Sequence, residues 1–137
     1  MNSQIYEKPT RQESENLQAM RDWVVQQGSP NETITAVGKL DLIQRVILES
    51  DITARDAWKL AALGLMFGDA LHQVMEGRLR WVVVEDELGI SHALQWKHTD
   101  ILIFPLSALR APIQANEAID VKQLYAEFVQ LLPFSPR

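Results

Sequence analysis

Cysteine is missing from this 137-residue chain. That removes disulfides, thiolate nucleophiles and cysteine-ligated zinc or iron–sulfur sites in one step, and it fits a reducing cytoplasm. Long apolar runs are missing too. The longest uncharged one, LAALGLMFG from Leu60 to Gly68, falls far short of the roughly 20 residues a bilayer span needs. The opening MNSQIYEKPT has no basic segment followed by an apolar one, so no signal peptide is read. Nor is there a run of basic residues: the densest spot is Arg78 and Arg80, with Leu79 between them. With a formal charge of −5, this argues against nucleic acid, whose phosphates call for a concentrated basic surface. These absences together lead us to expect a soluble cytoplasmic protein with neither a membrane nor a nucleic-acid partner.

What is present suits one folded unit. Apolar residues make up 47% and charged residues 23%, the balance of a globular domain with a real core. The whole chain is expected to form a single domain, with about the first ten residues as a loose tail. TRQE, Thr10 to Glu13, has the hydroxyl and carboxylate of a capping box, and Leu17, Met20 and Val24 recur behind it at helical spacing. Gly28, Ser29 and Pro30 end that helix. A second helix is expected over about Val37 to Glu49, with Leu40, Ile43, Val46 and Ile47 as its apolar stripe. Thr53 and Asp56 form another capping-box pattern, and a third helix is expected over about Ala54 to Glu76.

This third segment is apolar on nearly every side from Ala57 to Gly68, Lys59 excepted, which marks it as the central helix. Ala57, Ala61, Gly64 and Gly68 fall on one stripe. A helical glycine costs about 1 kcal/mol relative to alanine, so two on one face suggest a groove. Either another backbone packs into it, or it is a channel for a small ligand.

After Gly77 the pattern turns extended. RWVVVED (Arg80 to Asp86), HALQW (His92 to Trp96) and DILIF (Asp100 to Phe104) are separated by short polar breaks, which predicts an antiparallel three-stranded meander closed by Pro105. A short turn is expected at about Ser107 to Arg110, then a loop from Ala111 to Ala118. Asp120 with Gln123 caps a last helix carrying Leu124, Phe128 and Leu131.

The acidic run Glu85-Asp86-Glu87 invites a catalytic reading, but neighbouring strand residues point to opposite faces. Two hairpin registers stay open. A three-residue Glu87-Leu88-Gly89 loop sets Asp86 opposite Ile90 and Glu85 opposite Ser91, whereas a tighter turn pairs Glu85 with His92. No DxD, HExxH or EF-hand spacing gathers further ligands, so neither metal nor cofactor is expected. The weak catalytic candidates are Glu85, Asp86 and His92, with Glu85 and His92 conceivable as a general-base pair. His72 reads as a helix-flank residue and His98 as an exposed turn residue. Of the four tryptophans, most are expected in the core.

Three words in this order, ALGLMFGDAL (Ala62 to Leu71), WVVVEDELG (Trp81 to Gly89) and ILIFPL (Ile101 to Leu106), resemble a bacterial family, domain of unknown function 3806. The likeness covers about Asp56 to Leu132. It implies a small soluble bacterial protein and carries over no activity, cofactor or catalytic residue.

The fold expected is therefore α+β: a small three-stranded meander packed on the glycine-bearing helix, with N-terminal helices and a C-terminal helix around it. The leading functional expectation is a non-catalytic binding or interaction protein, an accessory or toxin-neutralising factor. It would meet a protein partner through Glu85, Glu87 and Trp96, with a homodimer possible through an edge strand. The alternatives are a hydrolase-like enzyme using Glu85, Asp86 or His92, and a small-ligand sensor at the Gly64/Gly68 groove.

Overall fold

The computed structural model describes residues 5–86 and 89–133, without the side chains of residues 5–7 and 86. In chain order it runs β1 (Ile5–Glu7), α1 (Arg11–Gln26), a 3-10 turn (Pro30–Thr33), α2 (Ala36–Glu49), α3 (Ala57–Val74) and β2 (Leu79–Asp86). There follow β3 (Gly89–Trp96), β4 (Leu102–Ile103), a second 3-10 turn (Pro105–Ser107), α4 (Arg110–Gln114) and α5 (Val121–Gln130). This is the α+β architecture read from the sequence.

The apolar third segment does form the centre. Leu60, Leu63, Phe67 and Leu71 on α3 are among its fully enclosed side chains, each contributing about 1.5–3 kcal/mol by leaving water. A helix apolar all round needs partners on all sides. α1 and α2 pack along it, α5 and the Pro105–Ser107 turn close further sides, and Leu79, Leu94, Trp96 and Ile103 of the sheet join the same core. Phe67 meets Phe128 of α5 edge-on, with ring centroids 5.2 Å apart.

Local signals set the helix ends. Thr10 accepts from the Glu13 N–H while its own N–H donates to the Glu13 carboxylate, completing the expected box. Asp120 caps α5 through the Gln123 N–H at 3.1 Å. The third helix starts later than expected. Asp56 is itself the cap residue, and its carboxylate turns back to the Thr53 N–H at 2.9 Å, so residues 53–56 make a turn before the helix. At the far end Glu76 and Gly77 both take positive φ, 42° and 82°, and the chain leaves the helix there.

The sheet has strand order β1-β2-β3-β4, antiparallel throughout. The expected meander is β2-β3-β4. The N-terminal segment read as a loose tail instead adds β1, with Ile5 opposite Glu85 and Glu7 opposite Val83. Neither hairpin register from the sequence is the one formed. Asp86 lies opposite Gly89, Glu85 opposite Ile90 and Val83 opposite His92. Gly89 has φ 117°, a conformation for which glycine carries no Cβ penalty. A second difference lies after the sheet, where the stretch read as a loop holds α4.

Alternation gives the sheet two faces. Leu79, Trp81, Leu94 and Trp96 turn toward the helices, while Val82, Val84 and Ala93 form a separate buried cluster with Leu102 on the other face. Gln95, 5% exposed, lies on that outer face beside Arg80.

Candidate functional site

The residues carrying the family words meet in space. A Cβ on Gly64 would lie 2.4 Å from the Pro105 carbonyl oxygen and 2.7 Å from the Leu106 Cα; one on Gly68 would lie 2.6 Å from the Trp81 ring. The two glycines thus let the Pro105–Leu106 backbone and the Trp81 indole sit directly on α3. The groove is filled by the chain itself, which removes the small-ligand sensor expected there. The glycines are spent on packing.

Beside this node lies a polar cluster that the sequence reading passed over. Arg21 of α1 grips Asp69 of α3 with two bonds, Nε to Oδ2 at 2.7 Å and Nη2 to Oδ1 at 2.9 Å. The Trp81 Nε1 donates to the same Oδ1 at 3.1 Å. Both charged side chains are largely buried, 27% and 19% exposed, so each needs the other. The signal was available. Arg21 falls between Leu17 and Val24 on the stripe of α1 that is buried, and Asp69 interrupts the apolar run of α3. A charge at an apolar position asks for a partner. Lys39 donates to Gln73 one turn beyond Asp69; burial pulls its ammonium below the ordinary lysine range, with Asp69 opposing. The cluster ties three helices and the sheet together.

Among the described side chains, the catalytic candidates Glu85 and His92 do not pair. His92 projects on the helix-facing side of β3, opposite Val83, and its buried Nδ1 has no hydrogen-bond partner among the described residues. Burial pushes the imidazole below the usual histidine range, and among the described residues the carboxylate that opposes this is Glu13. Glu13 is already committed to the Thr10 cap, which holds its own carboxyl below the usual range. The Glu85–His92 pair expected from a tight turn is therefore replaced by a capping acid near a desolvated histidine. Glu85 is exposed at the end of β2. The backbone of Asp86 pairs with Gly89; its side chain and all of Glu87 lie outside the described residues. Trp96 is 8% exposed and part of the core, which removes it from any recognition surface. Large area and a cross-strand place opposite Leu79 put this indole inside. Among the described residues no three of His, Cys, Asp or Glu gather to hold a metal ion, and no helix is long and apolar enough to cross a membrane.

A concave feature lies elsewhere. A cleft of about 730 Å³ opens between the end of α2, the turn before α3 and the connection from α4 to α5. Ile47, Leu48, Ile52, Ile113 and Ile119 supply its apolar walls, and Arg55 is among its polar residues. Leu48 is 72% exposed. The Ile119 wall is held by Gln44, whose amide donates to the Ile119 carbonyl at 3.0 Å and accepts from the Val121 N–H at 2.8 Å. Sequence could not reveal this cleft, because two stretches distant along the chain, 47–55 and 113–119, make it.

Comparison with known proteins adds fold and family. A 1.50 Å crystal structure from Bacteroides thetaiotaomicron VPI-5482 superposes with a TM-score of 0.73 at 15% identity, over 92% of this chain and 47% of the other. The chain thus spans about half the length of that protein, and likeness at such low identity concerns the fold alone. No curated protein matches. The family model described as Domain of unknown function (DUF3806) matches residues 39–125, from α2 into α5 and through all three sequence words. The chain belongs to this family.

Proposed function

We propose that this protein is a non-catalytic binding protein that docks an apolar segment of a partner protein in the cleft between α2 and the α4–α5 connection. One observation carries the reading: five aliphatic side chains line a 730 Å³ concavity whose rim residue Leu48 is 72% exposed. An apolar wall on a water-facing cleft gains by being covered. The site chemistry supports binding over catalysis as well, since the acid acting on His92 is tied up in a helix cap. The recognition surface accordingly moves from the acidic hairpin to the cleft. An accessory or toxin-neutralising role in the cytoplasm is a special case of this reading.

The test compares wild type with Leu48→Glu, a substitution at an exposed position that should leave the circular dichroism spectrum and melting temperature unchanged. Quantitative pull-down should recover a stoichiometric partner with wild type and lose it with the variant. Equal recovery by both, or recovery of the bait alone, would overturn the proposal.

A further inference from the structure

On the outer face of the sheet, away from that cleft, the β3–β4 turn encloses a second concavity of about 570 Å³ lined by Arg80, Gln95, Lys97, His98, Thr99 and Asp100. We propose that it binds an oxyanion, the phosphoryl or carboxylate group of a small molecule.

The argument rests on how the cations are held. Arg80 and Gln95 are cross-strand partners. The Arg80 Nε donates to Gln95 Oε1 at 2.8 Å, and Gln95 Nε2 donates to the Thr99 carbonyl at 2.8 Å. Gln95 is 5% exposed, so the guanidinium is aimed by a buried amide whose other end is fixed to the turn. A neutral amide orients the arginine without cancelling its charge. Three other arginines are paired with acids: Arg11 with Glu15, Arg21 with Asp69 and Arg45 with Glu32. Among the described residues neither Arg80 nor Lys97 has such a partner, and the Nη nitrogens of Arg80 make no hydrogen bond. Two cations therefore share the pocket with one carboxylate, Asp100, in a chain whose formal charge is −5.

The turn itself is rigid. Thr99 Oγ1 donates to the Trp96 carbonyl at 2.7 Å and accepts from the Ile101 N–H at 3.1 Å, and the Trp96 N–H donates to the Ile101 carbonyl at 3.0 Å. These bonds hold His98 at φ 65°, a backbone state that costs a non-glycine residue energy and recurs at ligand sites. An exposed guanidinium held at its Nε leaves its Nη pair to match the planar pair of oxygens on a carboxylate or phosphoryl group. The space is sized for a small metabolite.

Isothermal titration of the full chain with inorganic phosphate and separately with succinate, at 0.15 M salt, tests this. Saturable binding of either is expected, weakened at least tenfold in Arg80→Met and in Lys97→Met and unchanged in Arg11→Met. Tighter phosphate binding assigns a phosphoryl ligand, and tighter succinate binding a carboxylate. In ¹⁵N spectra the Gln95 side-chain amide should move on titration. Absence of saturable binding by both probes, or affinity retained in both pocket variants, would refute the site.

Discussion

Replacing Gly64 by alanine probes the closest approach in the core. On helix propensity alone the change should stabilise α3 by about 1 kcal/mol. Against this, the new Cβ would sit 2.4 Å from the Pro105 carbonyl oxygen, 2.7 Å from the Leu106 Cα and 2.8 Å from the Leu106 carbonyl oxygen. Carbon contacts are optimal at about 3.5–4.0 Å. All three neighbours are backbone, so no rotamer change relieves them, and either α3 or the Pro105–Ser107 turn must move. Overpacking of a core costs about 1–3 kcal/mol. Three unyielding contacts put this case at the upper end, leaving a net loss of about 2 kcal/mol. With an unfolding entropy of about 2.1 cal/mol/K per residue, that loss lowers the melting temperature of a 137-residue chain by about 7 °C. Far-UV circular dichroism melts of wild type and variant read the shift directly. A variant as stable as wild type, or more so, would show that the groove is not filled by backbone and would restore room for a ligand.

Asp69→Asn should cost about 1–3 kcal/mol, the range for leaving a donor unsatisfied, because it leaves the Arg21 charge, 27% exposed, without its counter-ion; urea midpoints measure this, and an unchanged midpoint would make the pair ornamental. The pH dependence of stability follows from His92. Its folded-state pKa is lowered by burial, so the unfolded chain takes up the proton first. Stability should fall as the pH drops through the unfolded histidine value of about 6.5, with the loss complete below the folded one. Urea midpoints at pH 7.5, 6.5 and 5.5 should decline less in His92→Gln than in wild type, whereas parallel declines would place the titration elsewhere.

Much of the fold was legible in the sequence because the interactions behind it are local. The Thr10–Glu13 box, the Asp120 cap and the stop at Gly77 each involve residues within one turn of one another. The apolar circumference of α3 could only mean a central helix. The small-residue stripe at Gly64 and Gly68 announced a close approach, though not of what. The candidate site was read less well. Strand alternation rightly split Glu85 from Asp86, yet the hairpin register was misjudged by one to two residues, because leucine and glycine near the tip favour no single turn. That slip decided which group lies opposite His92. Trp96 could be assigned to the interior or the surface with equal chemical sense, since an indole serves both.

By itself, then, the sequence determined α1, α2, α3 and α5, the caps at Thr10 and Asp120, the meander and the family, for these depend on neighbours along the chain and on the periodicity of apolar residues. Tertiary structure alone decided what fills the Gly64/Gly68 groove, which acid acts on His92, and that Arg21 pairs with Asp69 across 48 positions. It also decided that Arg80 is aimed by Gln95 and that two distant stretches enclose an apolar cleft. Each of these is a contact between segments remote in sequence, where a shift of one residue in register or a small rotation of a helix exchanges one partner for another.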